Sequence, residues 1–208
     1  MTSFQEIIQT PNLYGLNVTI PYKQDVIPLL DAIDPIAQAI GAVNVIAFDA
    51  ERKCTGYNSD YYGIWESVQP LLGNISQEKR MIKALILGTG GASKAVAFAL
   101  DYHNISYQYV SRTKKEHTIT YEEVKQNKLL ESYHLVINCS PLGTFPDIQA
   151  KPDLDYSQVT SKHIFYDLIY NPDQTAFMKQ ADLKGAVTSN GLRMLELQAL
   201  KAWEIWNR

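Results

Sequence analysis

Residues 84–87 read Ala-Leu-Ile-Leu and run directly into Gly88-Thr89-Gly90-Gly91-Ala92-Ser93. A short apolar run that breaks into closely spaced glycines and then into helix-forming residues is a buried strand turning sharply into a helix. The stretch 80–189 repeats that alternation. Strands are expected at 84–87, 106–110, 135–138, 164–167 and 186–188, and the clearest helices at 93–100 and 174–181. Strand–helix alternation of this kind builds a parallel sheet with helices on its faces. The fold class is therefore α/β, with a parallel-sheet unit in the second half of the chain.

In such a unit, the turn Gly88, Thr89, Gly90, Gly91, Ala92, Ser93 has a physical use. Glycines allow the tight turn and let backbone N–H groups approach a pyrophosphate at the helix N-terminus. Ser93 stands where a third Gly or Ala is usual. An ordinary tight turn is the bland alternative, and the strand–turn–helix setting favours a nucleotide site. The next strand selects the nucleotide. It ends in Ser111-Arg112-Thr113-Lys114-Lys115, with no carboxylate to accept from a ribose 2′-hydroxyl. A guanidinium can bind a 2′-phosphate and stack on adenine, so NADP(H) is expected rather than NAD.

The first 72 residues are more mixed. A helical turn is expected at 3–9 and a strand at 16–22, ending at Pro21. Helical spacing follows at 23–33, with Val26, Leu29 and Leu30 on one face, and resumes at 34–40 after a break at Pro35. Residues 42–48 read as a strand, 49–53 as a polar turn and 55–58 as the returning partner. Residues 61–72 read as a helix with Asp60 as N-cap. A linker is expected at 73–79. Residues 190–208 form a final amphipathic helix whose apolar side carries Leu192, Leu195, Leu197, Leu200 and Trp203.

Several polar residues interrupt these patterns. A strand at 16–22 puts Asn17, Thr19 and Pro21 on one face, with Lys23 at its end. Asn44 falls inside an otherwise apolar strand, and Asp60 follows Gly56-Tyr57-Asn58-Ser59. Alone, each has a structural use: a solvated lysine, a helix cap, an amide satisfying buried backbone. Together they describe strand ends converging on a polar pocket. Lys23 and Asp60 as neighbours would form a proton-transfer pair, the carboxylate holding an ammonium that can give or take a proton.

Composition narrows the partners. The chain has 208 residues, 46% hydrophobic, with 19 Lys+Arg against 22 Asp+Glu, so it has no broad basic footprint for nucleic acid. No apolar run approaches the roughly 18 residues of a membrane span, and the first 15 residues lack the pattern of a signal peptide. Two cysteines, Cys54 and Cys139, cannot build a disulfide framework, so a reducing, cytoplasmic setting is expected. Cys139 reads as a small packing residue. His103, His117, His134 and His163 lack ligand spacing, so no metal is expected.

Eight segments carry a resemblance: N-V-T-I-P-Y-K at 17–23, G-A-V-N at 41–44, G-Y-N-S-D at 56–60, G-T-G-G-A-S at 88–93, S-R-T at 111–113, N-C-S-P-L-G at 138–143, D-L-I-Y-N-P at 167–172 and G-L-R-M-L-E-L-Q at 191–198. In order and spacing they resemble the shikimate dehydrogenases, over nearly the whole chain from Asn12 to Trp206. The resemblance implies NADPH-dependent reduction of 3-dehydroshikimate to shikimate, in the route to chorismate and the aromatic amino acids. It implies a split substrate domain, residues 1–72 with 190–208, and a Rossmann-like NADP-binding domain, residues 73–189. The family's catalytic lysine falls on Lys23 and its partner aspartate on Asp60, with the donor of the proton left open between them. Substrate contacts fall on Thr19, Asn44, Tyr170 and Gln198, with Asn17 supporting the loop. The adenosine-phosphate loop falls on Ser111, Arg112 and Thr113, where the family more often has Asn first. The nicotinamide end falls near Ser140, Leu168 and Gly191.

One family feature has no counterpart. Members begin with a strand–helix–strand unit carrying an S-x-S pair that holds the substrate carboxylate, and no S-x-S occurs near Met1. The first sheet is then expected to expose an unpaired, apolar edge or face. Three readings compete: a trimmed or misassigned start, which is favoured; a native short form that dimerises through the exposed sheet; or an NADP-binding regulator without turnover. A monomer or homodimer is expected, the dimer if the short form is native. At this length a much raised KM, or no measurable activity, is expected. Retention of Lys23, Asp60 and Gln198 argues against the regulator. Arg112 argues against an NAD-using quinate/shikimate dehydrogenase.

Overall fold

The computed structural model describes residues 4–19, 21–73 and 82–208. It contains two sheets. The first is four-stranded and is built from β1 (Gly15–Asn17), β2 (Ala32–Ile33), β3 (Val45–Phe48) and β4 (Cys54–Tyr57), in the order β1-β3-β4-β2. β3 and β4 form an antiparallel hairpin in which Ile46 faces Gly56. β1 adds antiparallel to β3, and β2 adds parallel to β4. Helix α1 (Phe4–Ile8) precedes β1, α2 (Pro35–Ile40) joins β2 to β3, and α3 (Asp60–Leu72) leaves β4.

The second sheet is six-stranded and entirely parallel. Its strands are β5 (Lys83–Leu87), β6 (Ser106–Ser111), β7 (Thr118–Thr120), β8 (Leu135–Asn138), β9 (Ile164–Asp167) and β10 (Val187–Ser189), in the order β10-β9-β8-β5-β6-β7. The chain crosses between them through α4 (Gly91–Tyr102), α5 (Tyr121–Gln126) and α6 (Ala176–Asp182), and ends in α7 (Leu192–Trp206).

Both faces of this sheet are covered, which is why its strands read as continuous apolar runs rather than alternating ones. Ala84, Ile86, Ile137 and Tyr166 point to one face, under α4 (Val96, Leu100) and α3 (Ile64, Val68, Leu72). Leu85, Leu87, Val136 and Phe165 point to the other, under Val124 of α5 and Phe177 and Ala181 of α6. Each fully buried Val, Leu, Ile or Phe side chain among them contributes about 1.5–3 kcal/mol. The first sheet has its own smaller core, with Val26, Ala37, Val43, Ile46 and Cys54 at its centre. Helix α7 returns to it: Ala202 and Ile205 pack on Val45, and the Trp206 indole donates to the Ile46 carbonyl at 3.0 Å.

Several local expectations are corrected. The strand expected at 16–22 stops at Asn17, and Pro21 through Val26 fold as turns, with Tyr22 N donating to Thr19 O at 2.9 Å. Asn17, Thr19 and Pro21 therefore share no strand face. The helix expected at 23–33 is a 3₁₀ turn at Ile27–Leu29 followed by β2. Pro28 lacks the N–H that a longer helix would need there, and Leu30 is already extended. Pro35 starts α2 rather than breaking a helix, because Asp34 caps it through Ile36 N at 3.0 Å. Asn44 lies just before β3 rather than within it. β4 and β10 are each displaced by about one residue from expectation, while β8 and β9 fall where the sequence puts them. β2, β7 and α5 were not foreseen. The linker expected at 73–79 lies outside the described residues beyond Gly73.

α7 presents a different face from the one its leucines advertise. Leu197, Ala202 and Ile205 are buried, whereas Leu192, Leu195, Leu200 and Trp203 are 38–63% exposed. Close packing on α3 selects the face. A Cβ at Gly63 of α3 would stand 2.7 Å from the Met194 carbonyl, so the two helices touch there backbone to backbone. β1 and β2 are the edge strands of the first sheet. Beside β1 opens an apolar cleft of about 390 Å³ lined by Phe4, Ile7, Leu16, Val26 and Leu29, among others.

Candidate active site

Lys23 leaves the turn after β1, where its carbonyl accepts from Val43 N at 2.8 Å. Its Nζ lies 2.7 Å from Asp60 Oδ2, and the two side chains are only 20% and 10% exposed. Asp60 is the first residue of α3, and the helix N-cap is Ser59. The cap expected of Asp60 is thus not made. Its carboxylate is turned away, held by Lys23 on one oxygen and by Asn44 Nδ2 on the other, at 2.9 Å.

Asn44 organises the rest. Its Oδ1 accepts from Ser59 N at 2.7 Å, and its Nδ2 also approaches Ser59 Oγ at 3.1 Å and Gln198 Oε1 at 3.4 Å. Ser59 Oγ donates to Gln198 Oε1 at 3.3 Å. Gln198 reaches this cluster because the α3–α7 contact at Gly63 brings its backbone close. Asn58 anchors the same corner, donating to Ala42 O at 2.9 Å and accepting from Asp60 N at 3.0 Å. Lys23, Asn44, Asp60 and Gln198 are therefore brought together in one hydrogen-bonded cluster. Ser59 and Asn58 were missed as members, although both lie within the G-Y-N-S-D segment.

Asn17 and Thr19 are exposed and line the apolar cleft beside β1, together with Tyr22 and Asp25. Tyr170 is 48% exposed, three residues beyond the end of β9. These three are not drawn into the hydrogen-bonded cluster.

A second cleft, of about 480 Å³, opens at the carboxyl ends of β5, β6 and β8. Gly88, Thr89, Gly90, Ser111, Arg112, Thr113 and Ser140 line it, joined by Lys115, Tyr121, Cys139, Pro141 and Leu142. Gly88 has φ +111°, a conformation that a side chain would strain. Gly91 and Ala92 form the first turn of α4, which no side chain caps, leaving its N–H groups for an anion. Ser93 is turned inward instead: it is buried, and its hydroxyl donates to Gly90 O at 2.7 Å.

The basic tip divides its charges. Lys114 is held by Glu123 at 2.6 and 2.9 Å, and this lowers the Glu123 pKa. Lys115 instead reaches Thr89 Oγ1 at 3.2 Å across the cleft mouth, beside Arg112. Burial pushes the Cys139 thiol up, so it stays protonated, and pushes Tyr121 up to about 12. Leu168 and Gly191 meet at a separate point. Gly191 N donates to Ile169 O at 3.1 Å, and a Cβ on Gly191 would stand 2.1 Å from Leu168 O.

Among the described residues, no group of three or more His, Cys, Asp or Glu is placed to hold a metal ion. His163 is structural, its Nε2 2.8 Å from Leu130 O. No helix among the described residues is long and apolar enough to cross a membrane.

A parallel sheet ordered across its first crossover, with a glycine turn at one strand end and a basic tip at the next, defines a dinucleotide-binding α/β protein of the Rossmann type. The sequence profile of the shikimate dehydrogenase substrate binding domain matches residues 1–46. The NADP(+) shikimate dehydrogenase of Carboxydothermus hydrogenoformans is 40% identical, the match covering 94% of this chain and 72% of that protein. The Thermus thermophilus shikimate 5-dehydrogenase, solved with NADP(H) and shikimate, superimposes with a TM-score of 0.80 at 29% identity, covering 99% of this chain and 79% of that one. A Corynebacterium glutamicum quinate dehydrogenase, solved with NAD, gives 0.85 at 27% identity, over 98% and 77%. The chain belongs to the shikimate dehydrogenase family.

Proposed function

We propose that this protein is an NADP-dependent shikimate dehydrogenase that reduces 3-dehydroshikimate to shikimate, as part of aromatic amino-acid biosynthesis. The observation that carries the reading is the Lys23–Asp60 pair, 2.7 Å apart and fixed from the far side by Asn44. The residues of the cleft at Gly88–Gly90 fit a phosphorylated dinucleotide. The uncapped start of α4 suits a pyrophosphate, and Arg112 with Lys115 suits a 2′-phosphate. NADPH, when bound there, supplies the hydride.

The chain supplies the rest. The Lys23 ammonium has three protons, and one is engaged by Asp60 Oδ2. A second can pass to the alkoxide that develops at the substrate carbonyl oxygen, and Asp60 holds the amine in place as it becomes neutral. Asn44, Gln198 and Thr19 offer hydrogen bonds to ring hydroxyls. Tyr170 and Asn17 complete the substrate side, and Ser140, Leu168 and Gly191 the nicotinamide side. Residues 1–72 with 190–208 serve as the substrate domain and 73–189 as the nucleotide domain. Two free thiols, Cys54 and Cys139, suit a reducing cytoplasm.

The test is a spectrophotometric assay of the full chain with shikimate and NADP+. NADPH formation that appears only at high shikimate concentration and disappears in Lys23→Ala supports the reading, and NADP+ binding with no turnover at any shikimate concentration overturns it in favour of an NADP-binding regulator. The NAD-using quinate alternative is disfavoured by Arg112 and by the absence of a carboxylate at the end of β6.

A further inference from the structure

Three polar side chains, all fully buried, meet at the carboxyl end of the parallel sheet: Asn138 closing β8, Asp167 closing β9 and Thr175 capping α6. Asp167 Oδ1 accepts from Asn138 Nδ2 at 3.0 Å and from Ile169 N at 3.1 Å. Its Oδ2 accepts from Thr175 Oγ1 at 2.7 Å. On its other side, Asn138 Oδ1 accepts from Ser140 N at 3.0 Å and Ser140 Oγ at 2.7 Å. Ser140 Oγ in turn accepts from Leu142 N at 3.4 Å.

The order of these bonds is forced. A carboxylate has acceptors only, so it must face the NH₂ edge of the Asn138 amide. The amide carbonyl is then committed to Ser140, and the Ser140 hydroxyl proton to that carbonyl. The turn from Ser140 to Leu142 lines the nucleotide cleft. The same Asp167 oxygen, through Ile169 N, shapes the turn that presses Leu168 against Gly191 and carries Tyr170. One carboxylate thus connects two turns that approach the reaction from different sides.

Stability is a poor reason for it. A buried carboxylate is costly even when well bonded, and burial pushes this one up to about 6 against its hydrogen bonds. Groups kept in such settings concentrate at functional sites.

We propose that Asp167 is a positioning residue of the nucleotide site, fixing Ser140–Leu142 through the Asn138 amide and the 168–170 turn through Ile169. This rests on the reading of the cleft as the NADP(H) site.

The test uses the full chain, with NADPH affinity read by fluorescence titration and the backbone amides of Ser140, Leu142 and Ile169 by NMR. Asp167→Ala is expected to weaken NADPH binding by about tenfold or more at temperatures well below its Tm, and to shift those amides. Asp167→Asn, which keeps an oxygen for Asn138 and Ile169, is expected to stay within about threefold of wild type. Wild-type affinity in folded Asp167→Ala, or an equal loss in Asp167→Asn, overturns the proposal. Should Asp167→Ala not fold, Asn138→Ala cuts the same relay at Ser140 and must show the same loss; undiminished binding there overturns it too. Failure of the wild-type chain to bind NADPH overturns the reading of the cleft instead. In that case unmoved amides in Asp167→Ala overturn the relay, and shifted ones support it.

Discussion

Lys23 and Asp60 share one short contact, 2.7 Å from Nζ to Oδ2, and Asp60 accepts at its other oxygen from the Asn44 amide at 2.9 Å. A pair fixed from both sides keeps the ammonium aimed without holding substrate by itself. Lys23→Ala is therefore expected to lower kcat by about 10²–10⁴-fold, the usual contribution of a positioned proton donor, with a much smaller change in KM. Steady-state kinetics in both directions check this. An unchanged kcat would remove Lys23 from the chemistry.

Arg112 and Lys115 line the nucleotide cleft, while Lys114 is tied to Glu123. Only the first two are placed to meet a 2′-phosphate. Arg112→Ala is expected to raise the NADP+ KM by roughly 10–100-fold, equivalent to about 1.5–3 kcal/mol of charge-assisted bonding. NAD+ turnover should change little, since that cofactor has no charge for the guanidinium to meet. Lys114→Ala should leave the NADP+ to NAD+ preference where it was. Comparing kcat/KM for the two cofactors across the three proteins decides it.

Much of this was legible in the sequence. The parallel sheet was readable because β5, β8 and β9 are buried on both faces, so that local apolar runs and tertiary position agree. Lys23, Asn44 and Asp60 were readable as polar interruptions of apolar elements that converge on one pocket, whereas Gln198, 175 residues from Lys23, was readable only through the resemblance. The region after β1 was misread. Val26, Leu29 and Leu30 have helical spacing, but Pro28 and the tight turns at Pro21–Val26 prevent a helix from forming. The face of α7 was misread for a different reason. Leucine content marks an apolar stripe, whereas the packed stripe is chosen by which residues let two backbones approach. Ser93 was assigned to the cofactor by position in the motif, yet its hydroxyl closes the first turn of α4. Asn138 and Asp167 gave no signal as a pair, because the contact joins the ends of adjacent parallel strands.

Gly191 has almost no room. Its ideal Cβ would lie 2.1 Å from the Leu168 carbonyl oxygen and 2.6 Å from the carbonyl carbon, both backbone atoms. No rotamer change can relieve such a clash, so Gly191→Ala must move the 168–170 turn or the start of α7. The expected cost is about 1–3 kcal/mol, a drop in Tm of several degrees for a chain of this size. Activity measured well below that Tm should fall as well, because Leu168 moves with the turn. Gly73→Ala, at a glycine with no atom of the described residues within 4 Å of its Cβ position, is the control and should leave both unchanged.

Asp167 makes a pH prediction whose sign follows from burial. Its pKa is raised from 3.8 to about 6 in the folded protein, because burial disfavours the charge more than the bonds from Thr175, Ile169 and Asn138 favour it. The folded state therefore holds this proton more tightly than the unfolded state. Asp167's contribution to stability is fully present below about pH 4 and is lost as pH rises through about 6, amounting to about 3 kcal/mol by neutral pH. Asp167→Asn cannot ionise and lacks this dependence. Plotted as variant minus wild type, the unfolding free energy should climb by about that amount between about pH 4 and about pH 7 and then level off. Chemical denaturation of both proteins across that range measures the difference directly, and groups common to both cancel. A flat difference would mean that Asp167 keeps an ordinary carboxylate pKa inside the sheet.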